Sequence, residues 1–324
     1  MADEKGHERG GLMYGVAAYG LWGLMPFYFI AVGVVPSLEI LAHRIVWSAV
    51  LLGVLLTVVR RWPVLLGGLR AVRTRRLLLV SSVLIGSNWF LYIWSVESGQ
   101  VIQSSLGYFI NPLVNVLLGL VFFGERLRVG QWAAVALATG GLLYLAQAVG
   151  AVPWLALALA VSFGFYGLVR KVTPLDALTG LAAETFVLGP VALGCLIVWA
   201  ITGRLGYRGG NDLVNVLLLL SGVVTTVPLL CFGHAARRLP LSVLGFLQYL
   251  SPSVQFVIGV AFLKERFTWE QGVGFGVIWA ALALLTAESV LRSRLRSTAN
   301  GRGQPISPLP SPQGSLCTKK EGMA

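Results

Sequence analysis

One segment of this chain is written twice. PLVNVLLGLVFFGERL, residues 112–127, returns as PSVQFVIGVAFLKERF, residues 252–267. Pro112 aligns with Pro252, Gly119 with Gly259, Phe122 with Phe262 and Glu125-Arg126 with Glu265-Arg266, while the amide of Asn115 is matched by the amide of Gln255. The offset is 140 residues throughout. A chain that repeats at such a distance builds two like units, and composition says where they live. Of the 324 residues, 56% are hydrophobic and only 12% charged, against about 25% charged in a soluble domain. Several runs pass the roughly 18 apolar residues needed to cross a hydrocarbon core of about 30 Å. The chain reads as an all-α polytopic membrane protein.

Hydropathy places ten transmembrane helices near 12–33, 37–59, 76–97, 101–123, 129–148, 152–170, 177–201, 213–236, 240–263 and 271–290. The first run contains Trp, Tyr and Pro and lacks a small-residue cleavage site, so it reads as a retained helix and not a signal peptide. Corresponding points of the doubled segment are five spans apart. Five is odd, so the second unit enters the bilayer the other way up, giving two inverted five-helix repeats. The expected organisation is 1–11 as a cytoplasmic N-terminus, 12–148 and 149–290 as the repeats, and 291–324, rich in Ser, Pro and Gly, as a disordered cytoplasmic tail. With both termini inside, 20 Lys and Arg fall on the cytoplasmic side and 4 outside, with Arg44 inside a span. That asymmetry fits the positive-inside rule. Inverted repeats are a common build for secondary transporters, with the substrate site at the midplane between the halves.

Polar residues within the spans nominate that site. Ser104, Tyr108, Asn111 and Asn115 share one face of the fourth span, and Gln248, Ser251 and Gln255 repeat the stripe on the ninth. Such stripes line a cavity or tie helices together by hydrogen bonds. Pro112 and Pro252 lie inside these spans as expected kinks, each freeing the carbonyl four residues earlier. Asn88 and Tyr92 on the third span, Tyr19 and Trp22 on the first, and Ser162 and Tyr166 on the sixth are further candidates. Arg44 and Glu184 lie seven residues into their spans and 140 apart, as symmetry equivalents. A charge at mid-bilayer costs about 2.5–3.5 kcal/mol on insertion scales, so both face protein or water. Whether they pair directly or serve transport separately is left open. Glu39 and His43, one turn apart, form either a proton relay or a local hydrogen bond. Glu125-Arg126 fixes the turn into the next helix or takes part in gating. Gly272 and Gly276 stand at GxxxG spacing, which suits a homodimer face or packing within the second repeat.

Other classes find little support. Lys and Arg lie between apolar runs and not on one compact face, which argues against nucleic acid as partner. Cys195, Cys231 and Cys317 have neither metal-site nor disulfide spacing, and no metal or cofactor is expected. No HExxH, GxSxG or GxxxxGK[ST] occurs, which disfavours a protease, a hydrolase and an ATP-driven pump. A channel or structural membrane protein is the remaining alternative to a carrier.

The segments AYGLWGLMPFYF, EILAHRIVWS, NWFLYIWSV, SLGYFINPLVNVLLGLVFFGERL and SFGFYGLVRK resemble the RarD-type branch of the EamA family, within the drug/metabolite transporter superfamily. The resemblance runs from about residue 12 to 290. It implies ten helices in two inverted repeats around a central cavity. It also implies a permease of the bacterial inner membrane, exporting a small organic metabolite or drug-like molecule.

Overall fold

A computed structural model describes residues 2–97, 101–149, 154–207, 209–262, 269, 272–274, 276–277, 279–281 and 283–284. Among these residues every regular element is a helix: α1 (Ala2–Gly23), α2 (Met25–Ala31), α3 (Ser37–Val58), α4 (Trp62–Leu69), α5 (Val72–Glu97), α6 (Val101–Phe123), α7 (Val129–Val149), α8 (Trp154–Val172), α9 (Ala177–Ile201), α10 (Asp212–Arg238), α11 (Leu241–Gln248) and α12 (Leu250–Ala261). Helices are what an apolar chain needs in lipid, because each satisfies its backbone polar groups internally. Among the described residues six stretches are long and apolar enough to span: Glu8–Ala31, Ser37–Val58, Val72–Ser95, Trp154–Val172, Ala177–Ile201 and Asp212–Arg238. Their outer faces carry exposed aliphatic side chains such as Val58, Val191 and Leu213. The chain is a multi-pass membrane protein. Glu265, Arg266 and the 291–324 tail lie outside the described residues.

Two spans that look continuous in the sequence are broken. The first divides at Leu24 into α1 and α2. Pro26, early in α2, has no N–H to give the Trp22 carbonyl, so the α1 ladder stops there. The ninth divides at Tyr249, which ends α11 and begins α12. Pro252 therefore falls in the first turn of α12, where a missing N–H is tolerated, whereas α6 runs on through Pro112. The Arg-rich connection after α3 folds into α4, which the hydropathy reading treats as loop. Side-chain caps start two long helices: Asp176 accepts from the Thr179 N–H of α9 at 3.0 Å, and Asn211 from the Leu213 N–H of α10 at 3.0 Å.

Helix contacts come in matched sets. α1 packs along α10 and α8 along α5; α6 packs on α8, and α12 on α1; α3 packs on α9, and α6 on α11. The largest apolar cluster joins Ala18, Leu52, Leu78, Leu118, Leu181, Phe232, Leu241 and Leu244, drawing on most of these helices. It fills one half of the bundle along the helix axes and leaves the other half less filled.

Candidate substrate cavity

That other half holds a cavity of about 620 Å³. On α3, α5, α6 and the α11–α12 pair the cavity-facing residues lie toward one end and the residues of the largest apolar cluster toward the other. Ser37, Ile40 and Arg44 of α3 line it, while Leu52 and Leu56 are core. Asn88, Trp89 and Tyr92 of α5 line it, while Leu78 and Ile85 are core. The same order holds for Tyr108 and Asn111 against Leu118 on α6, and for Ser251 and Gln255 of α12 against Leu241 and Leu244 of α11. The volume falls in the range of about 300–1,000 Å³ typical of small-molecule sites.

Ten of the candidate residues meet on this wall: Tyr19, Trp22, Arg44, Asn88, Tyr92, Tyr108, Asn111, Gln248, Ser251 and Gln255. Several are tied down by one edge. Asn88 Nδ2 donates to the Leu159 carbonyl and to Ser162 Oγ, both at 2.9 Å, joining α5 to α8. Gln255 Nε2 donates to the Trp22 carbonyl at 3.2 Å, the acceptor that Pro26 leaves free. A break in α1 is thus satisfied from α12, which binds the two polar stripes to the broken helix. Asn115 lies behind the wall, 1% exposed, and its Nδ2 donates to Gln248 Oε1 at 3.0 Å. That bond fixes which edge of Gln248 remains for the cavity: its Nε2 donor. The Oδ1 of buried Asn111 has no partner.

Among the described residues Arg44 is the one charged residue on the wall. Its Nε donates to Thr225 Oγ1 at 2.8 Å, and the Phe29 ring lies 5.6 Å from its guanidinium carbon. Tyr28, Tyr92 and Tyr108 are close enough to interact with it electrostatically. No carboxylate among the described residues pairs with it. Thr225, Phe29 and Phe163, also on the wall, escape a sequence reading because nothing in their local pattern separates them from packing residues.

Glu184 is elsewhere. It is 1% exposed within the filled half, 3.6 Å from Arg170 Nη1, and accepts from the Tyr166 hydroxyl at 3.1 Å. Arg170 Nη2 also donates to the Ala177 carbonyl at 3.0 Å. Direct pairing of Arg44 with Glu184 therefore does not occur: the two sit in opposite halves of the bundle, and Tyr166 joins Glu184 away from the cavity wall. Glu39 makes its hydrogen bonds to backbone, with none to His43 among the described residues. Its Oε2 accepts from the backbone N–H of Gly206 at 3.0 Å and of Tyr207 at 3.4 Å, pinning the loop before α10. Near the Gly272–Gly276 pair, a Cβ on Gly141 would stand 3.4 Å from the Gly274 carbonyl, and one on Gly276 would meet no described atom within 4 Å.

The filled half is closed by bonds between helix ends. Gly124 takes φ +60°, turning the chain back so that the Glu125 N–H donates to the Gly119 carbonyl at 3.1 Å. The Glu125 carboxylate then lies against Gly119, where a Cβ would stand 2.6 Å from Oε2. From there it accepts from the Leu241 N–H at 2.7 Å, the Ser242 N–H at 3.0 Å and the Ser242 hydroxyl at 2.6 Å. The N-cap of α11 is Pro240, with no side-chain bond of its own, so Glu125 caps that helix from another part of the fold. Nearby, Lys171 donates to the Ala236 and Leu239 carbonyls, and Arg237 to those of Thr173 and Leu175. These cations sit at helix C-terminal ends, where the dipole favours them.

Comparison with known proteins adds the lineage. The EamA-like transporter family matches residues 9–147 and again 151–287. A Vibrio cholerae protein called an uncharacterized transporter is 46% identical over 290 residues, 90% of this chain and 96% of its own. Protein RarD of Escherichia coli is 44% identical over 89% of this chain and 98% of its own. A Pseudomonas aeruginosa protein named chloramphenicol-sensitive protein RarD is 32% identical over 88% and 97%. A solved crystal structure at 18% identity superposes with a TM-score of 0.66 over 86% of this chain and 97% of that one, a likeness of fold alone.

Proposed function

Since the chain belongs to the EamA-like transporter family as a RarD-type member, and is thus a membrane transporter of the drug/metabolite superfamily, we propose that it is a secondary carrier. It moves a small organic molecule across the bacterial inner membrane by alternating access, in the export direction, without ATP. The observation that carries this reading is that α3, α5 and α6 each line the cavity toward one end and join the largest apolar cluster toward the other. A carrier needs a site closed on one side while it is open on the other.

Ten spans in two inverted repeats, 12–148 and 149–290, are the architecture we assign. The double family match supports it, as do the packing pairs: exchanging the two sets of five spans turns α1–α10 into α8–α5 and α6–α8 into α12–α1, and returns α3–α9 and α6–α11 to themselves. Tyr249 and Phe109, 140 apart, even touch: the Tyr249 hydroxyl donates to the Phe109 carbonyl at 3.3 Å. Such a molecule has two related states, with cavity and packed half exchanging roles. By the excess of Lys and Arg at the packed end, that end is cytoplasmic and the cavity faces outward in this conformation. In the opposite conformation the packed half opens, and its buried Arg170, Glu184 and Tyr166 come to face water.

The test is flux. Purified protein in liposomes, given a metabolite mixture and an imposed pH gradient, is expected to accumulate one or a few small organic molecules. Uptake should saturate with solute and show accelerated exchange when the vesicles are preloaded. Linear, non-saturating flux would favour a channel; no flux of any solute would remove the carrier reading.

A further inference from the structure

Resting on the carrier reading, we propose that the transported class is an amphipathic organic anion: a carboxylate or similar planar oxyanion on an apolar, ring-sized body. Charge is the first reason. Among the described residues the cavity wall holds one cation, Arg44, and no acidic residue. An unpaired positive charge inside a membrane protein is costly to retain, and no carboxylate among the described residues offsets it.

Geometry is the second reason. Guanidinium presents its donors in a rigid fork matched to carboxylate. Thr225 holds the Nε edge at 2.8 Å and Phe29 covers one face at 5.6 Å. Neither engages the two Nη nitrogens, so the end of the fork is oriented but unoccupied by protein. Two parallel N–H···O bonds to one carboxylate fit that edge. Gln248, whose oxygen is taken by Asn115, adds a further donor to the wall. The rest of the surface is aromatic and aliphatic: Trp22, Trp89, Phe163 and Leu229. Such a lining accepts an apolar body and offers nothing to a highly polar one. The Asn111 Oδ1, buried and without a partner, suits a hydroxyl or amino donor on the same ligand.

Three isosteric probes separate this from other chemistries: 3-phenylpropionate, 3-phenylpropanamide and 3-phenylpropylamine. Binding to the purified full-length protein is read as the ligand-dependent rise in its unfolding temperature. The acid should bind at least about tenfold more tightly than the amide, the difference expected of a charge-assisted bidentate contact, and the amine more weakly still. Arg44→Lys should lose most of the acid preference, weakening the acid far more than the amide, because a point charge does not reproduce the fork. Should Arg44 variants not fold, Thr225→Val is the second test: it frees Nε, loosens the fork and should lower acid affinity alone. Equal or tighter binding of the amide or amine, an acid preference that survives both variants, or binding of none of the three would overturn the proposal. The carrier reading fails separately, by absence of flux; saturable flux of neutral or cationic solutes would sink only the anion assignment.

Discussion

Replacing Glu184 by leucine is expected to remove most of the folded protein. Glu184 and Arg170 are both about 2% exposed in their side chains and 3.6 Å apart, so the change strands a guanidinium in the packed half. Breaking a buried pair by deleting one partner costs about 3–5 kcal/mol, a large share of the ~5–15 kcal/mol that holds a typical domain together. Tyr166 also loses the acceptor of its hydroxyl. Arg170→Met should be milder, because a lone carboxyl can take up a proton whereas a guanidinium effectively cannot give one up. Combining Arg170→Met with Glu184→Leu should restore folded yield toward that of the parent. Monodisperse yield and unfolding temperature in detergent measure this. A double variant no better than Glu184→Leu alone would show that the pair is not what the packed half depends on.

Loss of the Glu125 cap is the second large effect, and it acts on the balance between states more than on folding. The carboxylate accepts three hydrogen bonds from the start of α11, and bonds to a charged group contribute about 1.5–3 kcal/mol each. Glu125→Ala leaves two N–H groups of α11 without that acceptor in the closed arrangement only, since water satisfies them once the ends part. A difference of about 3 kcal/mol moves a two-state population by more than a hundredfold. The expected result is protein that still inserts, reacts at the packed half with water-soluble reagents, and transports poorly. Gly119→Ala should do the same without touching the carboxylate, because its Cβ would occupy the place of Oε2. Unchanged reactivity in both variants would assign Glu125 to turn formation alone.

These two sites also mark how far the sequence can be read. The doubled segment, the stripes on the fourth and ninth spans and the lone cation of the second span are periodic or symmetric signals, and six residues they nominate, Arg44, Tyr108, Asn111, Gln248, Ser251 and Gln255, meet on one cavity wall. The recurrence of Gly119 and Glu125 is visible too, but its meaning is not: that a carboxylate folded back on a glycine caps α11 depends on where two distant helix ends are brought together. The 140-residue offset relates Arg44 to Glu184 by position. In the inverted repeats we propose, positions related by symmetry touch only near the axis, as Phe109 and Tyr249 do; farther away they lie in opposite halves. Arg170, the partner Glu184 does have, looks from its neighbours like one more basic residue at a helix end. The break in the ninth span falls at Tyr249, ahead of Pro252, because the proline starts α12 instead of interrupting a longer helix.

The central claim is that one cavity is reachable from alternate sides. It is tested most directly by single cysteines in a chain whose Cys195, Cys231 and Cys317 have been replaced. Ser251→Cys reports the cavity and Leu244→Cys the packed half. A membrane-impermeant maleimide is applied to intact cells and to inside-out vesicles. The account predicts that Ser251→Cys is labelled from outside and Leu244→Cys from inside, and that in a doubly substituted chain labelling one suppresses labelling of the other. Simultaneous, complete labelling of both from one side, or a Leu244→Cys that never reacts from either side, would contradict it.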